Sequence, residues 1–145
     1  MTTHLENELV IDAPVAVVWK LTEDVEGWPA TTPTVTSVER LDSGPMRVGS
    51  TARVKQPGQR VAVWTVSSFR PDEEMAWGAK VFGVQMVGTH RLTPIGDDRC
   101  RNLLSIDMSG RGAALLGRVV GKRILAAITT ENEGFKRAAE ALVHG

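Results

Sequence analysis

Three polar side chains stand on faces of this sequence that are otherwise apolar: His90, Asn102 and Glu131. In residues 84–92 the even positions read Val84, Met86, Gly88, His90 and Leu92; in residues 99–109 they read Cys100, Asn102, Leu104, Ile106 and Met108. Strand alternation turns both sets toward the interior. Past Gly112 the apolar period becomes helical. At about 100° per residue, Leu116, Val120, Ile124, Ala127, Ile128, Phe135, Ala138 and Leu142 share one arc, with Glu131 in its middle. A carboxylate drawn out of water needs a partner, hydrogen bonds or a proton, and desolvation raises its pKa. Glu131 could find its partner in His90 or Asn102, and Glu131 and His90 are the acid–base candidates if the protein is an enzyme. Each residue also has a plainer reading. The helix could bend near Gly134 and release Glu131 to solvent, His90 could be an interior histidine with an ordinary hydrogen bond, and Asn102 a structural partner.

Other chemistries find less support. His4, His90 and His144 are scattered and Cys100 has no near partner, so no zinc-ligand spacing exists. Arg99 and Arg101 flank Cys100 but point to the other side of a strand, which leaves a plain buried thiol. No glycine-rich phosphate loop occurs, and neither metal nor cofactor is expected. Arg111, Arg118, Lys122 and Arg123 form a basic helix end, read as solvated surface, with attraction of an acidic ligand head group as the alternative; Gly117 and Gly121 read as positions of close packing or cavity space.

Over 145 residues, 17 basic side chains balance 17 acidic ones, which argues against a nucleic-acid partner. No apolar run approaches the ~20 residues of a membrane span, so no stable membrane insertion is expected. Nothing at the N-terminus resembles a signal peptide, and a single cysteine excludes an internal disulfide. The expected location is the cytoplasm. The sequence leaves the oligomeric state open.

The elements that position the three polar residues follow from period and punctuation. Residues 4–11 alternate as a half-buried strand. Asp12 reads as an N-cap and Pro14 as part of the first turn of a short helix over 14–22; a second turn covers Val25–Trp28 and is stopped by Pro29. Strands are predicted near 34–42, 48–56, 60–69, 73–81, 84–94 and 99–109, separated by Gly-, Pro- and Asp-rich links short enough for an antiparallel meander. In 73–81 the inward face reads Met75, Trp77, Ala79, Val81. In 60–69 it is ambiguous, because Val61, Val63 and Phe69 compete with Trp64 and Val66. One long helix runs to about Val143. The expected fold is α+β: one domain over 1–145, a seven-stranded antiparallel sheet around a long C-terminal helix, with two short helices after the first strand. A single helix ~10–12 Å across cannot fill the concavity of so wide a twisted sheet, and an internal cavity follows.

The stretches "ELVIDAPVAVVWKLTEDVEGWP", "RVGSTARV", "VWTVSSFRPDEEMAW" and "HRLTPIGDDRCR", with the long C-terminal helix, resemble the SRPBCC superfamily. Within its START-like helix-grip fold they are most similar to the polyketide cyclase/dehydrase branch, and the likeness spans essentially the whole chain. It implies the same fold and places Trp28 near the cavity rim. The superfamily includes lipid carriers, hormone receptors and cyclases, so the motifs specify fold better than reaction. The cyclases' W-V-S-E-R pattern meets "TVSSFRP" here: Phe69 stands where the arginine would be, Arg70 falls on the opposite face, and the chain has no tyrosine.

The leading expectation is binding of a small hydrophobic molecule (a lipid, isoprenoid or polyketide) in that cavity. Its walls would be Trp28, Met75, Trp77, Met86, His90, Asn102, Leu104, Ile106, Val120, Ile124, Ile128, Glu131 and Phe135. The alternatives are a polyketide cyclase or dehydratase working through Glu131 and His90, and a protein-interaction module docking by its basic helix end.

Overall fold

The computed structural model describes residues 2–145. Its elements run β1 (Thr2–Ile11), α1 (Val15–Glu23), a 3₁₀ turn (Val25–Gly27), α2 (Trp28–Thr31), β2 (Ser37–Arg40), β3 (Thr51–Lys55), β4 (Ala62–Arg70), β5 (Glu74–Val81), β6 (Val84–Ile95), β7 (Arg99–Ser109) and α3 (Ala113–His144). All seven strands form one antiparallel sheet in the order β1-β7-β6-β5-β4-β3-β2. Strands β2 to β7 are a meander. The connection from β1 to β2 crosses the full width of the sheet and carries α1 and α2. The chain therefore has the α+β helix-grip fold.

The local expectations for Asp12, Pro14 and Pro29 are corrected. Asp12 does not cap α1; Pro14 holds that position in extended geometry, without a side-chain cap. The Asp12 N–H instead donates to Glu140 Oε2 at 2.9 Å, tying the end of β1 to the end of α3. Pro29 does not stop a helix. It sits in the first turn of α2, where its missing N–H leaves no bond unmade.

The ambiguous strand resolves through a β-bulge. Pairing between β4 and β5 shifts register between Val66 and Ser68, which inserts Ser67 as an extra residue. Before the bulge the even residues Trp64 and Val66 are buried while Val61 and Val63 are exposed. After it the parity changes, and Phe69 turns inward onto Trp19 with ring centroids 5.4 Å apart.

The long helix α3 packs chiefly on β1 and β7, at one side of the sheet. Its buried stripe is Ala113, Gly121, Ile128, Asn132, Gly134, Phe135 and Ala139. That stripe is rotated toward β1 relative to the expected arc. Ala138 is only half-buried, and Leu142 lies in solvent because the last turn runs past the Ile11 end of β1. Gly117 permits close packing, since a Cβ there would fall 3.0 Å from Thr3 Cγ2. The half of the sheet that α3 leaves uncovered is where the cavity forms.

Candidate functional site

The cavity opens between the concave face of β3–β7, α2 and the middle of α3. Strand alternation delivers Val54, Trp64, Trp77, Gly88 and His90 to it from four neighbouring strands, and β7 adds Leu104, Ser105 and Ile106. Trp28 comes from α2, Val35 from the loop after it, and Ile128 and Glu131 from α3. Trp28 is not at a rim. It is 3% exposed, and its indole Nε1 donates to the carbonyls of Leu21 and Thr22 at 3.1 and 3.2 Å. Those bonds end the chain's first helical segment and fix the ring as an inner wall. Around it lie Trp77 (centroids 5.2 Å apart), His90 (4.9 Å) and Phe135 (5.9 Å), and Trp77 in turn meets Trp64 at 5.8 Å.

Of the residues expected to line a cavity, Trp28, Trp77, His90, Leu104, Ile106, Ile128 and Glu131 border this one. The others do not. Met75 and Met86 are buried in the core, Phe135 stands behind Trp28 and His90, and Val120 and Ile124 are half-buried further along α3. Asn102 faces inward but turns away to bond Asn132.

Three polar groups, His90, Glu131 and Thr34, lie close together. His90 Nε2 lies 3.7 Å from Glu131 Oε1, with the two side chains 6% and 12% exposed. That separation exceeds a hydrogen bond. The other carboxylate oxygen, Oε2, accepts from Thr34 Oγ1 at 3.4 Å, and Thr34 is held by Thr32, whose Oγ1 is 2.8 Å from Thr34 Oγ1. Burial raises the Glu131 pKa to about 7 against a lowering by the Thr34 bond, and burial lowers that of His90 to about 4. Near neutrality the imidazole is therefore uncharged and the carboxyl takes up and releases its proton. His90 Nδ1 is buried with no hydrogen-bond partner among the described residues. Thr34, Trp64 and Gln56 escaped the sequence reading. The only signal for Trp64 was its place in an ambiguous strand, and Thr34 belongs to a loop with no periodicity to read.

A family model for polyketide cyclase / dehydrase and lipid transport matches residues 2–140. A Streptomyces halstedii protein provisionally named a polyketide cyclase is 38% identical over 73 residues, which span 48% of this chain and 63% of that relative's length. Among solved structures, the Zhui aromatase/cyclase of a Streptomyces species superposes with a TM-score of 0.70 at 21% identity, covering 97% of this chain and 98% of its own. A START superfamily protein from Mycobacterium smegmatis gives 0.74 at 14% identity, covering 96% and 98%. Likeness at that level carries the fold and leaves the chemistry to the side chains.

Proposed function

The chain belongs to the polyketide cyclase / dehydrase and lipid transport family, and from that membership we propose that it holds a small, uncharged apolar molecule in the cavity between the sheet and α3. The observation that carries this reading is the lining itself: three indoles, Trp28, Trp64 and Trp77, beside a polar corner where His90 approaches Glu131 and Thr34 bonds the carboxylate. Indole walls offer broad apolar contact, and a few converging polar groups orient what binds. Among the described residues no lysine or arginine borders the cavity. A carboxylate ligand would find no counter-charge there and would face Glu131, so a carbonyl or hydroxyl compound is favoured over a free fatty acid.

The cavity measures ≈ 60 Å³, room for a few waters and well short of the roughly 300–1,000 Å³ of drug-sized sites. A ligand enters by parting the walls.

Native mass spectrometry of the purified protein tests for a retained molecule. Thermal shift and tryptophan emission with isoprenoid quinones, aromatic polyketides and fatty acids then test the class. A rise in melting temperature with a neutral compound and little with the acids is expected. No response to any of them would remove the reading. A second reading, a cyclase or dehydratase, is favoured by one arrangement: Glu131 borders the cavity 3.7 Å from His90, where burial pushes its carboxyl up to about 7 and suits it to both giving and taking a proton. Under it, Glu131→Gln abolishes turnover while neutral ligands still bind.

A further inference from the structure

We propose that the outer face of the first half of α3, together with the β5–β6 turn beside it, docks reversibly on an anionic lipid bilayer. From Met108 to Thr130 the chain carries no aspartate or glutamate, while Arg111, Arg118, Lys122 and Arg123 are all exposed. The second half of α3 is different, with Glu131, Glu133 and Glu140 among its charges. At the centre of that first outer face stand Leu115 and Val119, 67% and 70% exposed. Helical spacing places Arg118 and Lys122 on one flank of them and Arg123 on the other. On the adjoining end of β7, Asp107 is taken up by a 2.7 Å bond to His4.

The turn between β5 and β6 completes the surface. Phe82 at its tip is 87% exposed and holds a left-handed φ of 52°, which aromatic residues rarely adopt. The turn lies against the start of α3: a Cβ on Gly110 would be 3.9 Å from Gly83 O, and one on Gly112 4.0 Å from Val84 Cγ2. Neither the strained, exposed phenylalanine nor the two exposed aliphatics helps the folded chain in water. Apolar side chains ringed by basic ones and free of acids are what an interfacial contact requires: the former enter the headgroup boundary and the latter meet anionic headgroups. An acidic protein would answer the charges alone; a protruding phenylalanine suits a deformable bilayer. No helix among the described residues is long and apolar enough to cross a membrane, so the contact is peripheral. The inference stands whatever the cavity holds, although α3 carries both.

Co-sedimentation of the full chain with vesicles tests it. Binding is expected to phosphatidylcholine vesicles containing phosphatidylserine, weakening as salt rises, and not to phosphatidylcholine alone. Arg118→Gln and Lys122→Gln should each weaken binding about five-fold, the equivalent of about 1 kcal/mol per basic residue. Phe82→Asn, whose side chain tolerates the left-handed turn, should weaken it while leaving the melting temperature unchanged. Arg99→Gln, at the opposite end of β7, removes a charge away from the surface and should bind as the parent does. Three results would overturn the proposal: no binding to the anionic vesicles, equal losses in Arg99→Gln and Lys122→Gln, or capture by an acidic protein without any by the vesicles.

Discussion

Glu131 and Asn132 are neighbours on one helix, both drawn out of water, and they live in opposite chemical circumstances. Asn132 is fully buried and nearly saturated. Its Nδ2 reaches Asn102 O at 3.0 Å, Asn7 O at 3.2 Å and Asn7 Oδ1 at 2.9 Å, and its Oδ1 accepts from Asn102 Nδ2 at 2.9 Å. Only Asn102 Oδ1 is left over. This network bolts α3 to β1 and β7. One residue earlier, Glu131 has a single long bond to Thr34 and an imidazole just out of reach, and His90 Nδ1 has nothing. Completed bonds make buried polarity a fastener; incomplete ones leave capacity that a ligand or a proton can use.

Removing the fastener should have the largest effect. Asn132→Ala strands Asn102 Nδ2 and the acceptors on Asn7 and Asn102, with an expected loss of about 3–5 kcal/mol, since each buried group left unpaired costs roughly 1–3 kcal/mol. Urea unfolding measures it, and the loss should be the same at pH 5 and pH 8, because no member of the network titrates. A loss below about 1 kcal/mol would mean that the helix is held by apolar packing alone and would erase the contrast with Glu131.

The second pair of variants reads the unsaturated corner through pH. The Glu131 pKa is raised on folding, to about 7, so the native state binds more protons than the unfolded one and stability falls as pH rises from the ordinary carboxylate value toward 7. The His90 pKa is lowered, to about 4, so the unfolded state binds more and stability rises from pH 4 toward 6.5. Between about pH 4.5 and 6.5 the slopes oppose and the native protein should show little pH dependence from this pair. Glu131→Gln leaves the His90 limb, so its stability should climb across that window and exceed the parent's at pH 7 and above by no more than about 3 kcal/mol. His90→Gln leaves the Glu131 limb and should fall with pH instead. If both variants track the parent, the two groups are hydrated and the corner is ordinary surface.

The contrast also explains what could be read in advance. The strands, their turns, the long helix and the inward face of β6 follow from local alternation and turn residues, which act over a few positions. His90 and Glu131 stood out because a polar residue interrupts an apolar period. Asn132 did not, because it falls outside the apolar arc through Leu116 and Val120, on the side that α3 turns onto β1. The lean is written in the positions 121, 128, 132, 135 and 139, spaced by seven, four and three, but small and amide residues carry little hydrophobic signal. The inward face of β4 was illegible for another reason. Its bulge makes two parities correct in one strand, and only pairing with β5 reveals it.

Thr34→Val sharpens the comparison at its smallest scale. The hydroxyl provides the one hydrogen bond that favours the charged form of Glu131, and at 3.4 Å it is a weak one. Valine keeps the shape and removes the donor, so the carboxyl pKa should move further up from about 7. Below about pH 5 the carboxyl is protonated in the folded protein, and the variant should differ from the parent only by a constant offset for the lost bond to Thr32 Oγ1. Above neutrality the native state must carry the charge without that bond, and a loss of about 0.5–1 kcal/mol should open and then stay constant with pH. The carboxyl carbon of Glu131 followed by NMR gives the pKa directly, and denaturant midpoints at pH 5 and 8.5 give the stability. A pKa that falls on losing the hydroxyl would show that Thr34 accepts from a protonated Glu131 instead of donating to the anion, and the proton would then belong to the site's resting state.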